Sequence, residues 1–251
     1  MTTWNYRIVS MLGVILIILL WITLPSNQSP IPPLLNIIAK GWVLIQTGEL
    51  MKDIQASLYR VSIGLFFGIL HGIIVGVLCI FSLFRFMITP LIELTRPIPP
   101  IAWIPLMLVI FGIGNVSAIA LVALASFFPI IVAVIHSIDG IDNDLVLMAK
   151  SHGAQIGSLI RYVYMPSVLP TFLTGVRLGT GLGWFSVVAA EMMGSYGGLG
   201  YGIQIASLNL EMEKFFVYLL TIGICGFCMN GSLLWINNKM NTWYLEGKNA
   251  Q

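Results

Sequence analysis

Six stretches of this chain are apolar for about the length a helix needs to cross a bilayer. That constrains the fold more than any other feature. Roughly 18–20 mostly apolar residues cross about 30 Å of hydrocarbon. The runs Ile8–Leu24, Val61–Phe84, Met87–Gly112, Val116–Ser137, Val168–Met193 and Phe215–Ile236 approach or exceed that length. Only helices and closed barrels satisfy backbone polar groups in lipid. Spans this long read as helices. Charged residues make up 9% of the 251 positions, against about 25% in soluble domains, too few to cover a globular surface in water. The expectation is an all-α polytopic membrane protein of about six transmembrane helices, with residues 1–251 forming a single transmembrane domain. Lipid is its surroundings, and nucleic acid is not expected as a partner. No A-x-A cleavage pattern follows Ile8–Leu24, so this run reads as a retained first span.

The third span is the least regular, because Arg96-Pro-Ile-Pro-Pro100 interrupts it. Proline removes a backbone donor, and such backbone is tolerated at membrane depth only against protein or a water-filled cavity. Insertion is expected to begin nearer Ile98, with residues 87–97 at the interface. Six spans put both termini on one side. With that side inside, Arg7, Arg85, Lys150, Arg161, Lys239 and Lys248 lie there, against Lys40, Lys52, Lys214 and Arg60 outside. The bias favours both termini in the cytoplasm. A short helix over Leu34–Gln46 and a glycine-rich loop, Gly194–Glu213, then lie outside.

Between spans four and five lies a polar insert, Asp139–Met165. Asp139, Asp142, Asn143 and Asp144 suit a helix start, capping it and complementing its dipole. A helix from about Leu145 is expected to end near Gly153, where glycine can adopt the left-handed conformation that turns the chain. A second helix, Gln155–Tyr164, carries Ile156, Leu159, Ile160 and Val163 at i, i+3, i+4 and i+7, one apolar stripe. Its polar face offers Gln155, Ser158, Arg161 and Tyr162, only one of them basic. That is poor for a headgroup-bound helix and better suited to docking on a cytoplasmic partner.

This hairpin resembles the EAA loop of permease subunits of ATP-binding-cassette (ABC) importers, whose pattern is E-A-A, three residues, G, then I-x-L-P about nine residues on. Ala149 matches the second alanine, Gly153 the glycine, and Val163-Tyr-Met165-Pro166 the closing element. Arg96-Pro-Ile-Pro-Pro100, Phe127-Phe-Pro129, Val188-Ala-Ala-Glu191 and Gly198-Leu-Gly-Tyr201 are similar to the nitrate/sulfonate/taurine/bicarbonate branch of that family. The resemblance implies coupling to an ATPase through Leu147, Met148, Ala149, Lys150, Gly153, Ala154, Ile156, Leu159, Ile160 and Pro166. It also implies two cytoplasmic ATPase subunits, a second copy of this permease, and an extracytoplasmic solute-binding protein delivering a small, anionic solute. One departure stands out: Leu147 occupies the glutamate position and Met148 that of the first alanine. Docking there is expected to bury apolar side chains or to select a different ATPase.

Nothing in the chain cradles phosphate: its Gly-Lys pair, Gly247-Lys248, has no glycine five residues earlier. No enzymatic activity and no cofactor are expected here, ATP and Mg belonging to the partner. Ionisable residues within spans are functional candidates by default. Glu93 and Arg96 stand three apart and either pair or lie at the interface. Arg177 either faces the pathway and attracts an anion or plays a structural or gating role, the second being favoured. Glu191 suggests a contact with the binding protein or an outer gate. Arg96, Pro97, Pro99, Arg177 and Glu191 are thus the pathway or gate candidates. Gly175, Gly179 and Gly183 form overlapping G-x-x-x-G patterns that let helices approach closely, against another span or across a dimer axis. His71, His136 and His152 have no ligand spacing, so no metal site is expected. Cys225-Gly-Phe-Cys228 lies within a span and reads as packing, not redox chemistry. Two other classes fit the sequence less well. A membrane enzyme would need acids or histidines clustered at one face. A stand-alone secondary transporter would show repeats with corresponding broken helices, whereas one break, at Pro97–Pro100, is evident.

Overall fold

The computed structural model describes Gly13 and residues 31–249, with side chains assigned up to Trp235 and at Lys239; the first span expected, Ile8–Leu24, lies outside the described residues. The described chain is built of helices: α1 (Leu34–Gln46), α2 (Glu49–Leu78), α3 (Ser82–Thr95), a 3₁₀ turn (Pro100–Trp103), α4 (Ile104–Phe111), α5 (Asn115–Asp139), α6 (Asn143–Ser151), α7 (Ile156–Leu159), a π turn (Ile160–Tyr164), α8 (Met165–Gly194), α9 (Leu199–Leu208) and α10 (Met212–Asn249). Among the described residues, four helical stretches are long and apolar enough to cross a membrane, and the bent pair α3 with α4, taken as one span, makes a fifth. The second span expected, Val61–Phe84, ends at Leu78, and Phe84 lies in the first turn of α3, which opens at Ser82. Thr95 and Pro100 flank a bend of 94°, as three prolines in four residues dictate.

One helix, α5, is the spine. Its two neighbours, α2 and α8, reach it through glycine faces. On α2, Gly64, Gly68, Gly72 and Gly76 stand four apart and meet Val122, Ser126, Ile130 and Val134 of α5. A Cβ on Gly72 would lie 2.5 Å from Ile130 Cγ2, and one on Gly76 2.7 Å from Val134 Cγ1. From the other side, a Cβ on Gly175 would lie 2.8 Å from Ala133 Cβ and 3.0 Å from Pro129 O, and one on Gly179 2.8 Å from Ser126 O. Gly183 completes the row against Val122. The stripe expected on Gly175–Gly183 is therefore spent on another span of the same chain, and the α2 stripe was not anticipated. Lipid tails are as apolar as leucine, so close packing rather than hydrophobic exclusion must hold such helices together.

Two apolar clusters close the ends of this stack. Cys79, Ile92, Ile131, Val134, Ile135 and Ile138 gather at the end bearing the polar hairpin, with Tyr164 and Phe172 against them. Ile37, Leu44, Leu50, Leu199, Ile203, Val217 and Tyr218 gather at the opposite end, joining α1, α9 and α10 to the start of α2.

Replacing Gly72 by Val should force α2 from α5, at about 1–3 kcal/mol or more. The expected readout is a lower melting temperature of the detergent-solubilised protein. Gly223→Ala is the control, since a Cβ there meets nothing within 4 Å. Equal melting of the two variants would contradict the packing described.

Candidate functional site

The polar hairpin is assembled from local rules. Asp142 holds an extended backbone and its carboxylate accepts from Asp144 N at 2.9 Å, capping α6. The helix starts at Asn143, two residues before the position expected. Asp139 does not cap; it pairs with Arg85 of α3 at 2.5 Å, tying the base of the hairpin to the bundle. At the far end, Gly153 N donates to Lys150 O at 2.9 Å and Ala154 N to Ala149 O at 3.0 Å. This double closure needs a left-handed residue, and Gly153 supplies φ +81°. The turn is thus a defined corner.

The corner presents apolar surface. Leu147 and Met148 are 59% and 62% exposed, and Leu145 and Ile156 are exposed beside them. Lys150 is also exposed, whereas Ala149 and Ala154 are half-buried. The apolar stripe expected on the second helix splits in two. Leu159 is buried, with Ile160 and Val163 half-buried, turned toward the bundle. Ile156 alone stays with the exposed corner.

Helix continues from Ile156 to Gly194, 39 residues, with a π turn at Ile160–Tyr164 and Pro166 just after it. π turns are rare and concentrate at functional sites. Beneath this one lies an apolar cavity of about 410 Å³, lined by α2, α5 and the start of α8, Ile160, Tyr164 and Pro166 among its walls. The hairpin therefore enters the bundle through a continuous but unevenly wound helix with free space on one side.

At the opposite end sits a buried polar cluster. Glu191 is fully buried. Arg60 Nη1 donates to Glu191 Oε1 at 2.5 Å and to Gly197 O at 2.6 Å, and Arg60 Nε donates to Asn115 Oδ1 at 2.9 Å. Ser57 donates its hydroxyl to Glu191 at 2.8 Å. Three successive backbone amides at the start of α9 each find a different acceptor: Gly198 N on Asp53 at 2.8 Å, Leu199 N on Ser57 at 2.9 Å, and Gly200 N on Glu191 at 2.9 Å. Tyr218 of α10 donates to Asp53 Oδ2 at 2.6 Å, and Lys214 pairs with Glu49 at 2.7 Å. A helix start buried without such acceptors would leave orphan donors. The cluster thus anchors α9 and α10 to α2 and α8 in one connected network.

Sequence reasoning found one member, Glu191, as a contact for the binding protein or part of an outer gate; the structure buries its side chain fully within this cluster. That reasoning missed Asp53, Ser57, Arg60, Asn115 and Tyr218. A signal existed. Glu49, Asp53, Ser57 and Arg60 recur every three or four residues on α2, yet hydropathy read them as a loop and a span edge, with Arg60 counted among the outside charges. The other pathway candidates do not join Glu191. Arg96, Pro97 and Pro99 lie exposed at the bend after α3, and Glu93 and Arg96 form no ion pair among the described residues. Arg177 is exposed on α8 and donates from Nε to Asn230 Oδ1 at 3.2 Å.

Residues 68–242 match the family model described as "Binding-protein-dependent transport system inner membrane component". The chain belongs to that family and is a multi-pass inner-membrane permease subunit of an ABC importer. It is 34% identical over 224 residues to the taurine transport system permease protein TauC of Escherichia coli, covering 89% of this chain and 81% of that one. It is 31% identical to the putative aliphatic sulfonates transport permease protein SsuC of Bacillus subtilis, over 86% and 79%. With the nitrate import permease protein NrtB of Synechococcus elongatus the identity is 28%, over 86% and 82%. Among solved structures, an inward-facing MetNI methionine ABC transporter superposes with a TM-score of 0.65 at 22% identity, over 79% of this chain and 96% of that one, a likeness of fold.

Glu191→Gln should leave Arg60 buried without its counter-charge, a loss of about 3–5 kcal/mol for buried pairs. Arg60→Met combined with Glu191→Leu should recover part of it, because no unpaired charge then remains. Thermal melting in detergent of the wild type, Glu191→Gln, Arg60→Met, Glu191→Leu and the double variant measures this, and a double effect equal to the sum of the two singles would contradict a direct pairing.

Proposed function

We propose that this chain, with a second copy of itself, forms the pathway by which a small anionic solute crosses the inner membrane. An extracytoplasmic binding protein delivers the solute, and two cytoplasmic ATPase subunits, carrying ATP and Mg, drive the cycle. The reading places the hairpin and both termini in the cytoplasm and treats residues 1–251 as one transmembrane domain. The kinship with permeases named for taurine, aliphatic sulfonates and nitrate supports the class of solute.

One observation carries the mechanism: a rigidly closed, apolar corner runs without a break in helix into a span of the bundle. Leu147, Met148 and Ile156 seat in a groove of the ATPase, where burial of each large apolar side chain contributes about 1.5–3 kcal/mol. Lys150 borders that contact. Leu159 and Ile160 hold the other side to the bundle, so displacement of the corner passes to α8 through Pro166. The π turn, with the cavity beside it, is the joint at which the angle changes. Energy spent on nucleotide closure thereby reaches the helix that packs along α5.

Gly153→Val places a β-branched side chain at φ +81°, a conformation such residues rarely adopt. The expected outcome is normal membrane insertion, ATP hydrolysis no longer matched by uptake, and at least an approximately tenfold fall in solute moved per ATP. Coupled uptake at the wild-type ratio would refute the role given to the corner.

Leu147→Ser together with Met148→Ser removes apolar burial and leaves the fold untouched, since both side chains are exposed. Co-purification of the ATPase should fall by more than about tenfold, as the loss of two buried apolar side chains implies. Retention of wild-type stoichiometry through stringent washing would rule out docking through these residues.

A further inference from the structure

We propose that Arg177, with Asn230 holding it, is the point at which the permeating anion is handled halfway across the membrane. This rests on the reading of the chain as a permease for a small anion.

Depth comes from helix register. Gly175 lies against Pro129 and Ile130, and Gly179 against Ser126. Arg177, between them in sequence, is therefore level with the middle of α5, which spans Asn115–Asp139. A cation at that depth either has a partner or faces a polar space. Arg177 belongs to none of the four ion pairs among the described residues. Its one hydrogen bond, from Nε to Asn230 Oδ1, leaves both Nη groups without an acceptor there. Guanidinium offers a planar fork of donors that matches the paired oxygens of nitrate, carboxylate or sulfonate.

Among the described residues, the surroundings leave room for such an ion. Thr174, Arg177 and Gly181 share one exposed stripe of α8, facing away from the glycine row that packs on α5. A Cβ on Gly181 would meet nothing within 4 Å. Asn230, from α10, orients the guanidinium through Nε and frees its outer edge. The carboxylate network at Glu191 is 14 residues further along α8, some 21 Å at 1.5 Å per residue. An arriving anion is thus spared a fixed negative charge beside the guanidinium.

The test uses the assembled importer, with its ATPase and binding protein, in liposomes, and radiolabelled nitrate, taurine and ethanesulfonate as probes. For the anion the wild type carries, Arg177→Gln should lower uptake about tenfold or more with ATP hydrolysis within about twofold, because a charge-recognising fork cannot be replaced by an amide. Asn230→Ala, which releases the guanidinium but keeps its charge and fork, should lower uptake by less than Arg177→Gln does. Arg177→Lys, which keeps the charge and loses the fork, should lower solute moved per ATP about threefold or more, and it carries the test if Arg177→Gln fails to insert. An unchanged ratio of solute to ATP in Arg177→Lys, uptake by Arg177→Gln within about twofold of wild type, or an equal loss in Asn230→Ala would overturn the proposal, the last by reducing Arg177 to a clip between helices. A wild-type complex that hydrolyses ATP yet moves none of the three probes, each bearing a nitrate or sulfonate group, would overturn the small-anion reading itself, and the role of Arg177 with it.

Discussion

The bundle depends on one constraint: α5 must be approached from two sides at backbone distance. Gly64, Gly68, Gly72 and Gly76 provide this on α2, and Gly175, Gly179 and Gly183 on α8. Where tails and side chains are equally apolar, contact area gained by close approach takes over the part that water exclusion plays in soluble cores. Ser126 sits at the level where both rows converge, its hydroxyl turned back onto Val122 O at 2.8 Å. A small side chain satisfied within its own helix is what that crossing permits. Three helices locked at this distance move together, which suits a part that must pass on an imposed displacement.

The same face of α2 changes chemistry partway along. Glu49, Asp53, Ser57 and Arg60 lead into Gly64, Gly68, Gly72 and Gly76, all on one helical stripe. The glycine half gives close packing, and the polar half gives directed bonds to the start of α9 and to Glu191. Directed bonds specify register where glycine contacts alone would allow sliding. The buried pair of Arg60 and Glu191 thus works as a pin, a use better attested for buried polar groups than net stabilisation. This pin lies at the far end of α8 from the π turn, the proposed joint.

Legibility from sequence followed the strength of the physics at each site. Long apolar runs gave the helical membrane class because lipid leaves few alternatives. The hairpin was readable because caps and left-handed turns require particular residues, Asp142 and Gly153 among them. The family resemblance read from residues 96–201 agrees with the matched permease family. The partners of Glu191 were not readable: they come from α2, the α8–α9 loop and α10, and no local rule says which of several polar residues will meet. The α2 glycine row escaped notice inside a span whose hydropathy alone satisfied the search. The boundary at Leu78 was missed because Phe81–Phe84 is as apolar as the helix before it.

The departure at Leu147 and Met148 gains meaning from this geometry. An acidic side chain at an exposed corner contributes a charge that salt screens over about 10 Å, and exposed ion pairs of that kind are worth at most about 1 kcal/mol. An exposed leucine and methionine side by side instead present area whose burial scales with fit. Methionine adapts its shape to irregular grooves, whereas leucine demands a matching pocket. A contact built this way resists salt and discriminates by contour. On the docking proposed above, its complement would be an ATPase groove with an apolar floor at that position, and the pairing would be narrowed to partners whose surface carries one. The corner can afford this exposure because Gly153, Asp142 and the Asp139–Arg85 pair hold its backbone in place without help from the side chains it offers.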